Sequence, residues 1–317
     1  MERILITGAS GYIGKALVSK LLPTGVGLTL ALRRSLPHGT ASGGQVNHVV
    51  VGDISDATDW SEALRDCGTV VHLAGQTPGR GVDDERFYVV NDKATSRLTE
   101  QAVASGVRVF VMMSSIAAVV GHAADSIITD DTYPVPTSAY GRSKLAAESH
   151  VAKFSLAGGI GVSLRPPMVY GAAAGGNWRL LQKLAASNLP LPFGAIRNQR
   201  AMISIDNLVD AILAVISTIN TAPSGAFAVA DSKHIGLAEM LRLLREGMKL
   251  PARLVSCPPS FLSASLQLIG KGAVVDSLLG DLVVDSSRFC ETFSWMPAED
   301  IRNGMRRAGA EYIAGER

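Results

Sequence analysis

Long runs of one charge are missing from this chain. Its 30 Lys and Arg nearly balance 28 Asp and Glu, leaving a net charge of +2, and charged residues make up only 18% of the whole. That balance excludes the basic face expected of a protein that binds nucleic acid or an anionic membrane. Cysteine is scarce as well: Cys67, Cys257 and Cys290 are odd in number, far apart and without a nearby Cys or His at metal-ligand spacing. No metal site is expected, and the three thiols read as buried or idle in a reducing compartment. The opening MERILITG enters a strand at once, without the charged, apolar and small-residue segments of an export signal, so the cytoplasm is the expected location. A membrane-length apolar run is absent too. The most apolar late stretch, Phe261 to Val284, is broken by Lys271, Asp276, Asp281 and three glycines. Its Leu and Ile spacing predicts core helices instead. No repeat of fixed period emerges.

What the chain does have is apolar content and rhythm. At 317 residues and 47% hydrophobic it can bury a sizeable core, as one large domain or two intimate ones. The first half alternates short β-branched runs (RILIT, LTLAL, NHVVV, TVVHLA, VRVFVMM) with longer helical patterns. That predicts an α/β fold, a doubly wound parallel sheet with helices on both faces, whose strands are apolar throughout because neither face meets water. After about residue 165 the texture changes, as RPPMVYG, GAAAGGN, NLPLPFGAIRNQR and PARLVSCPPS bring prolines and glycines into long connections. Long connections in a compact protein are usually functional. The expected division is a dinucleotide-binding domain over 1–165 and a smaller ligand-capping region over 166–317. Segments near 203–231 are expected to return to the first domain.

Between RILIT and the next helix stands Gly8-Ala-Ser-Gly11-Tyr-Ile-Gly14. A strand-to-helix turn this tight needs residues without Cβ, to reverse the chain, to admit a pyrophosphate to the backbone and to let helix and strand pack closely. The helix N-terminal amides then face the phosphate charge. The GxxGxxG spacing resembles the short-chain dehydrogenase/reductase superfamily, and TSAYGRSKLAAE carries the resemblance further. Tyr140 and Lys144, four apart, share one helix face, where a nearby ammonium is expected to favour the phenolate. Ser114 and Ser115 end the strand VRVFVMM. Either hydroxyl is placed to steady a substrate oxygen; Ser115 is the expected partner and Ser114 the structural one.

Further ordered pieces (VVVGDISD, VVHLAG, VVND, RPPMVYG and RAMISIDNLVDAI) are similar to the extended branch, the NAD-dependent epimerase/dehydratase family, and span nearly the whole chain. The resemblance implies a Rossmann-type fold and assigns Gly8, Ser10, Gly11, Tyr12, Ile13 and Gly14 to the cofactor. It adds Asp53 and Ile54 beside the adenine, Leu73, Ala74 and Gly75 along the cleft, Asn91 in support, and Tyr140, Lys144 and Pro167 near the nicotinamide. Ser115, Tyr140 and Lys144 are implied as catalytic, with Ser115 and Tyr140 also touching substrate. Asn177 would hold the diphosphate and cap the helix WRLLQKL, Phe193 would lie along the nucleobase and Arg200 would clamp the phosphates. A homodimer through the helices beginning near Asn91 and Tyr140 is likewise implied.

The family's common step is hydride transfer at a sugar carbon coupled to proton transfer through the Tyr. A 4,6-dehydratase adds an Asp-Glu pair just beyond the catalytic hydroxyl, but here the loop reads Ile116, Ala117, Ala118. Dehydration is disfavoured. An acid is also missing at the end of the second strand, where NAD enzymes bind the ribose 2′-hydroxyl; the aligned Leu32 is followed by Arg33 and Arg34, which suit a 2′-phosphate. NADP(H) is therefore expected ahead of NAD(H). A cofactor drawn from the reduced pool favours a reductase over an epimerase that returns its hydride. The chain looks most like bacterial polysaccharide enzymes of the UDP-glucose 4-epimerase kind, among them the 4-keto reductases that yield UDP-N-acetylquinovosamine. The expected substrate is a UDP-sugar; a 4-epimerase with retained NAD is the alternative, and a catalytically idle nucleotide sensor on the same fold is a third.

His72, inside an apolar strand, reads as a satisfied core histidine. Asp83, Asp84 and Glu85 read as a helix start, where acids suit the dipole.

Overall fold

The computed structural model describes residues 3–35, 45–79, 81–187, 189–218, 223–268, 275 and 279–315. Among them, nine strands form two sheets. They are β1 (Arg3–Thr7), β2 (Leu28–Leu32), β3 (Val46–Val50), β4 (Cys67–His72), β5 (Val109–Met113), β6 (Ile160–Arg165), β7 (Met168–Tyr170), β8 (Met202–Ser204) and β9 (Gly225–Ala228). The large sheet has the order β3-β2-β1-β4-β5-β6-β9 and is parallel at every pairing, with Ile4 opposite Leu28 and Leu5 opposite Val70. The strand order reverses between β1 and β4, and in such sheets the ligand crevice opens above that switch point, at the carboxyl ends of the strands.

The apolar runs fill both faces in strict alternation. Ile4, Ile6, Val71 and Val111 join one core with Leu17 of α1 (Tyr12–Leu21). Leu5, Val70 and Phe110 join the other with Leu98 and Ala147. These last two come from helices that follow β4 and β5. Past β4 the chain forms a short α2 (Asp84–Phe87), a π-helical turn Tyr88–Lys93 and α3 (Ala94–Ala104). After β5 comes α4 (Ala139–Leu156). Each buried Leu, Val or Phe contributes about 1.5–3 kcal/mol relative to exposure, so the sheet is the main source of stability for whatever stands at its edge.

The second half has its own core. β7 and β8 pair in parallel, and Tyr170 and Trp178 pack with Leu241, Leu244, Met305 and Tyr312. These come from α5 (Gly176–Ala186), α7 (Leu237–Gly247) and α10 (Ile301–Gly315). The segment after β8 returns to the first half: α6 (Ile205–Ser217) buries Leu208 and Ile212 against the α1 face, and β9 extends the sheet beside β6. A second return has no counterpart in the sequence expectation. Phe289 and Phe293 of α9 (Ser287–Phe293), with Trp295, stack around Phe227 of β9, the Phe227–Phe293 centroids 5.2 Å apart. Aromatic contacts across sixty residues leave no local pattern to read. Of the apolar stretch from Phe261 to Val284, α8 (Pro259–Leu268) buries Leu262 and exposes Phe261, while 269–274 and 276–278 lie outside the described residues. Among the described residues no helix is long and apolar enough to cross a membrane, and no cluster of three His, Cys, Asp or Glu is placed to hold a metal.

Candidate active site

The turn after β1 is built from backbone. Gly8 has φ +69°, and a methyl on it would stand 2.7 Å from the Ala74 nitrogen; a methyl on Gly14 would stand 2.2 Å from the Gly8 carbonyl oxygen. Neither position tolerates a side chain. Gly11 is the N-cap of α1 and brings no capping side chain, so the first amides of that helix keep their hydrogen-bonding capacity for a ligand. Above them opens a cleft of about 590 Å³ whose walls include Gly8, Ser10, Gly11, Leu73, Ala74 and Gly75. The arginines Arg33 and Arg34, with Asp53 and Ile54, form its far end. A glycine cradle, an uncapped helix start and a cationic end in one crevice at the switch point fit a dinucleotide. Tyr12 and Ile13 do not line the cleft with their side chains: Ile13 packs into the first core, and the Tyr12 hydroxyl is buried against Gly171 without a hydrogen-bond partner. Any service they give a cofactor comes from their backbone.

Asn91 sits in the π-helical turn and is buried. Its amide oxygen accepts from the Gln76 nitrogen at 2.8 Å, and its nitrogen donates to the Gln76 carbonyl and the Ser143 hydroxyl, both at 3.0 Å. It therefore pins the cleft wall to α4. Gly75 makes the link tighter still, since a methyl there would lie 3.0 Å from both Asn91 Oδ1 and Lys144 Nζ.

Lys144 is buried, and its ammonium donates to the Met113 carbonyl at 2.9 Å. Burial pulls its pKa down to about 8, with Glu148 one turn on opposing the shift. One turn earlier, Tyr140 follows the N-cap Ser138, whose side chain accepts from the Gly141 nitrogen. Phe87 meets the Tyr140 ring edge-on at 5.8 Å. Burial pushes the Tyr140 hydroxyl up, and a hydrogen bond with Ser115 only partly opposes it. The sequence expectation of an ammonium-favoured phenolate is corrected in direction: burial raises the Tyr140 hydroxyl, and Lys144 is engaged by a backbone carbonyl.

The two serines part ways. Ser115 caps the 3-10 turn Ile116–Ala118 and faces Tyr140. Ser114 points the other way and donates to Glu148 at 2.5 Å, where Glu148 also pairs with buried Arg165 at 2.6 Å. The Glu148–Arg165 pair escaped sequence reading because its partners lie 17 residues apart on a helix and a strand. Pro167, just past β6, is buried beside this sheet edge, where the Pro166 carbonyl accepts from the Ile116 nitrogen.

In the second half, Asn177 is exposed in the first turn of α5; the N-cap is Gly175, without a side-chain hydrogen bond. The capping expectation for Asn177 is thus corrected, because the helix begins at Gly176, two residues earlier than a cap at Asn177 implies. Phe193 is half-buried against the second core. Arg200 donates to the carbonyls of His122 at 2.9 Å and Gly280 at 3.1 Å, which ties the loop beyond Ser115 to the segment that precedes α9. His72 is neutral and fully engaged, with Thr7 at 2.8 Å and Thr95 at 3.0 Å, and burial takes its pKa down to about 3. Asp83 caps α2 through the Arg86 nitrogen.

The chain matches the model of the NAD dependent epimerase/dehydratase family over residues 4–230. It is 32% identical to a UDP-glucose 4-epimerase of Vibrio cholerae, covering 98% of this chain and 96% of that one. A UDP-glucose 4-epimerase of Mycolicibacterium smegmatis is 31% identical over 96% of each. Among solved structures, MoeE5 in complex with UDP-glucose and NAD superposes with a TM-score of 0.78 at 22% identity, covering 99% of each chain. At that identity the likeness is one of fold.

Proposed function

The chain belongs to the NAD dependent epimerase/dehydratase family, and from that premise we propose that it is an NADP(H)-dependent oxidoreductase working at C4 of a UDP-sugar. The favoured reaction is reduction of the 4-keto group of a UDP-4-keto-6-deoxy-N-acetylhexosamine. One arrangement carries the catalytic part: the Ser115 and Tyr140 hydroxyls face each other beside a buried ammonium, Lys144, that abuts the cleft wall at Gly75. When bound, the nicotinamide supplies hydride to the sugar carbon. Tyr140, neutral because it is buried, is the group that delivers a proton to the oxygen left at C4. Ser115 orients that oxygen. Lys144, fixed by the Met113 carbonyl, supplies positive charge beside the nicotinamide ribose and the departing phenolic proton. Asn91 and Gly75 hold this wall in register.

The arginines give the direction. Leu32 leaves no carboxylate at the end of β2 to accept the ribose 2′-hydroxyl, and Arg33 and Arg34 line the cleft there instead. Such a site favours NADP(H), with NAD(H) the weaker ligand. Asn177, Phe193 and Arg200 are assigned to the UDP moiety on family resemblance, a planar guanidinium being suited to phosphate. Self-association through α3 and α4, and residence in a reducing cytoplasm with three unpaired thiols, complete the reading.

A second reading, 4-epimerisation with retained NAD, is favoured by the Vibrio cholerae relative, which carries that activity in its name. The same side chains would serve it. Purification without added cofactor, absorbance spectroscopy, and then addition of NADPH or NADH with UDP-4-keto-6-deoxy-N-acetylglucosamine separates the two. Stoichiometric NADPH oxidation is expected; tightly retained NAD, no consumption and interconversion of UDP-hexoses would replace reductase by epimerase.

A further inference from the structure

The cationic end of the cleft holds a third arginine that the β2 motif does not include. Arg86 lines the same cleft as Arg33 and Arg34, but it comes from α2, beyond β4. In the strand order β2-β1-β4 these two sources lie on opposite sides of β1, so the three guanidinium groups approach the crevice from both flanks. One carboxylate oxygen bridges the flanks: Asp53 Oδ1 is 3.1 Å from Arg33 Nε and 3.7 Å from Arg86 Nη2. Asp83 fixes the start of α2 by accepting from the Arg86 nitrogen at 2.8 Å, so the helix that presents Arg86 is anchored one turn from its side chain.

The charge count is uneven. Three guanidinium groups face one carboxylate, a surplus of +2, in a crevice whose other lining residues are uncharged. A phosphate monoester carries about −1.5 to −2 at neutral pH. Arg33, Arg86 and Asp53 are 69%, 44% and 62% exposed, so the Asp53 bridge is a weak, solvent-screened pair that orients the arginines without saturating them. We propose that Arg86 completes a two-sided anion site with Arg33 and Arg34 that grips the adenosine 2′-phosphate, and that Asp53 pre-positions Arg33 and Arg86 for it. This rests on the NADP(H) reading above. It adds that selectivity is shared between two elements, not lodged in the β2 end alone.

The test uses 2′,5′-ADP and 5′-AMP, which differ by the phosphate in question, with binding followed by calorimetry on the full chain. The unmodified protein is expected to bind 2′,5′-ADP more tightly. Arg86→Ala is expected to cut that preference roughly ten- to hundredfold, the worth of a charge-assisted contact, while 5′-AMP affinity changes by about twofold at most. Arg86→Lys restores part of the preference, and the salt dependence of 2′,5′-ADP binding flattens in Arg86→Ala. If the unmodified protein shows no preference, the NADP(H) reading itself falls. If it does, and Arg33→Ala abolishes the preference but Arg86→Ala keeps it, only the two-sided site is overturned. Retained 5′-AMP binding confirms that each variant is folded.

Discussion

The two halves of the molecule hold their shape in opposite ways. On the sheet side, the cleft is shaped by what side chains leave out: Gly8, Gly14 and Gly75 are places where a methyl would strike backbone or a catalytic candidate. On the other side, shape is held by a long cation. Arg245 of α7 is 1% exposed, and its guanidinium donates to the carbonyls of Ala185, Ser187, Leu189, Ala252 and Arg253. Those carbonyls belong to the end of α5, the chain leading to Phe193 and the loop that pairs with it. The Leu191 nitrogen donates to the Arg253 carbonyl, and the Gly194 nitrogen to the Val255 carbonyl. The sheet side is thus shaped by where side chains are missing, whereas the loops of the second half are held by a buried side chain reaching across the fold as well as by their own backbone bonds.

Four substitutions probe that contrast, beginning with the largest effect. Tyr140→Phe removes the one proton donor facing Ser115 and keeps every packing contact, so kcat is expected to fall by roughly 10³-fold or more. Its melting temperature and cofactor affinity are expected to stay within error of the parent; unchanged turnover would detach Tyr140 from the chemistry.

Arg245→Met is the opposite kind of change. It leaves several carbonyls buried without donors, at about 1–3 kcal/mol for each that finds no water. A loss of about 3 kcal/mol or more is expected in urea titration, with affinity for a UDP-sugar falling further than affinity for the dinucleotide. Equal losses at both sites would show that Arg245 supports the fold as a whole, not the second half in particular.

Ser114 and Ser115 test the contrast at its smallest scale, between adjacent residues. Ser115→Ala is expected to lower kcat by roughly 10–100-fold with little change in stability, since it loses a contact made to the reacting oxygen. Ser114→Ala leaves Glu148 short of one donor and is expected to cost about 1–2 kcal/mol of stability while kcat moves little. Side-by-side thermal melts and initial rates decide it, and an exchange of the two phenotypes would reverse the assignment.

Much of the sheet side was legible from residues alone. The doubly wound parallel sheet followed from apolar runs alternating with helical patterns, and the glycine turn from three residues at fixed spacing. Tyr140 and Lys144 lie on one helix, so their common face needed only the helical period. The misreadings have physical causes. Tyr140 was expected to be acidified by Lys144, but the ionisation of a pair on one face depends on what else buries it, here the Met113 carbonyl and the ring of Phe87. Asn177 was expected to cap α5, but Gly175 takes that place, and polar residues in a first turn look alike from sequence. Arg86 gave no signal, because nothing in DDERF says that its side chain crosses to Asp53.

By itself, then, the sequence determined much of the first half: which residues lack a Cβ, where strands end, and that Tyr140 and Lys144 share one helix face. These are short-range consequences of backbone geometry and helical or strand period, which any local stretch carries with it. Only the tertiary structure decided which serine faces the phenol, whether that phenol is charged, which arginines share a carboxylate, and how one buried guanidinium ties the second half together. Burial and long-range hydrogen bonding set those outcomes, and both are properties of residues that meet only when the chain has folded.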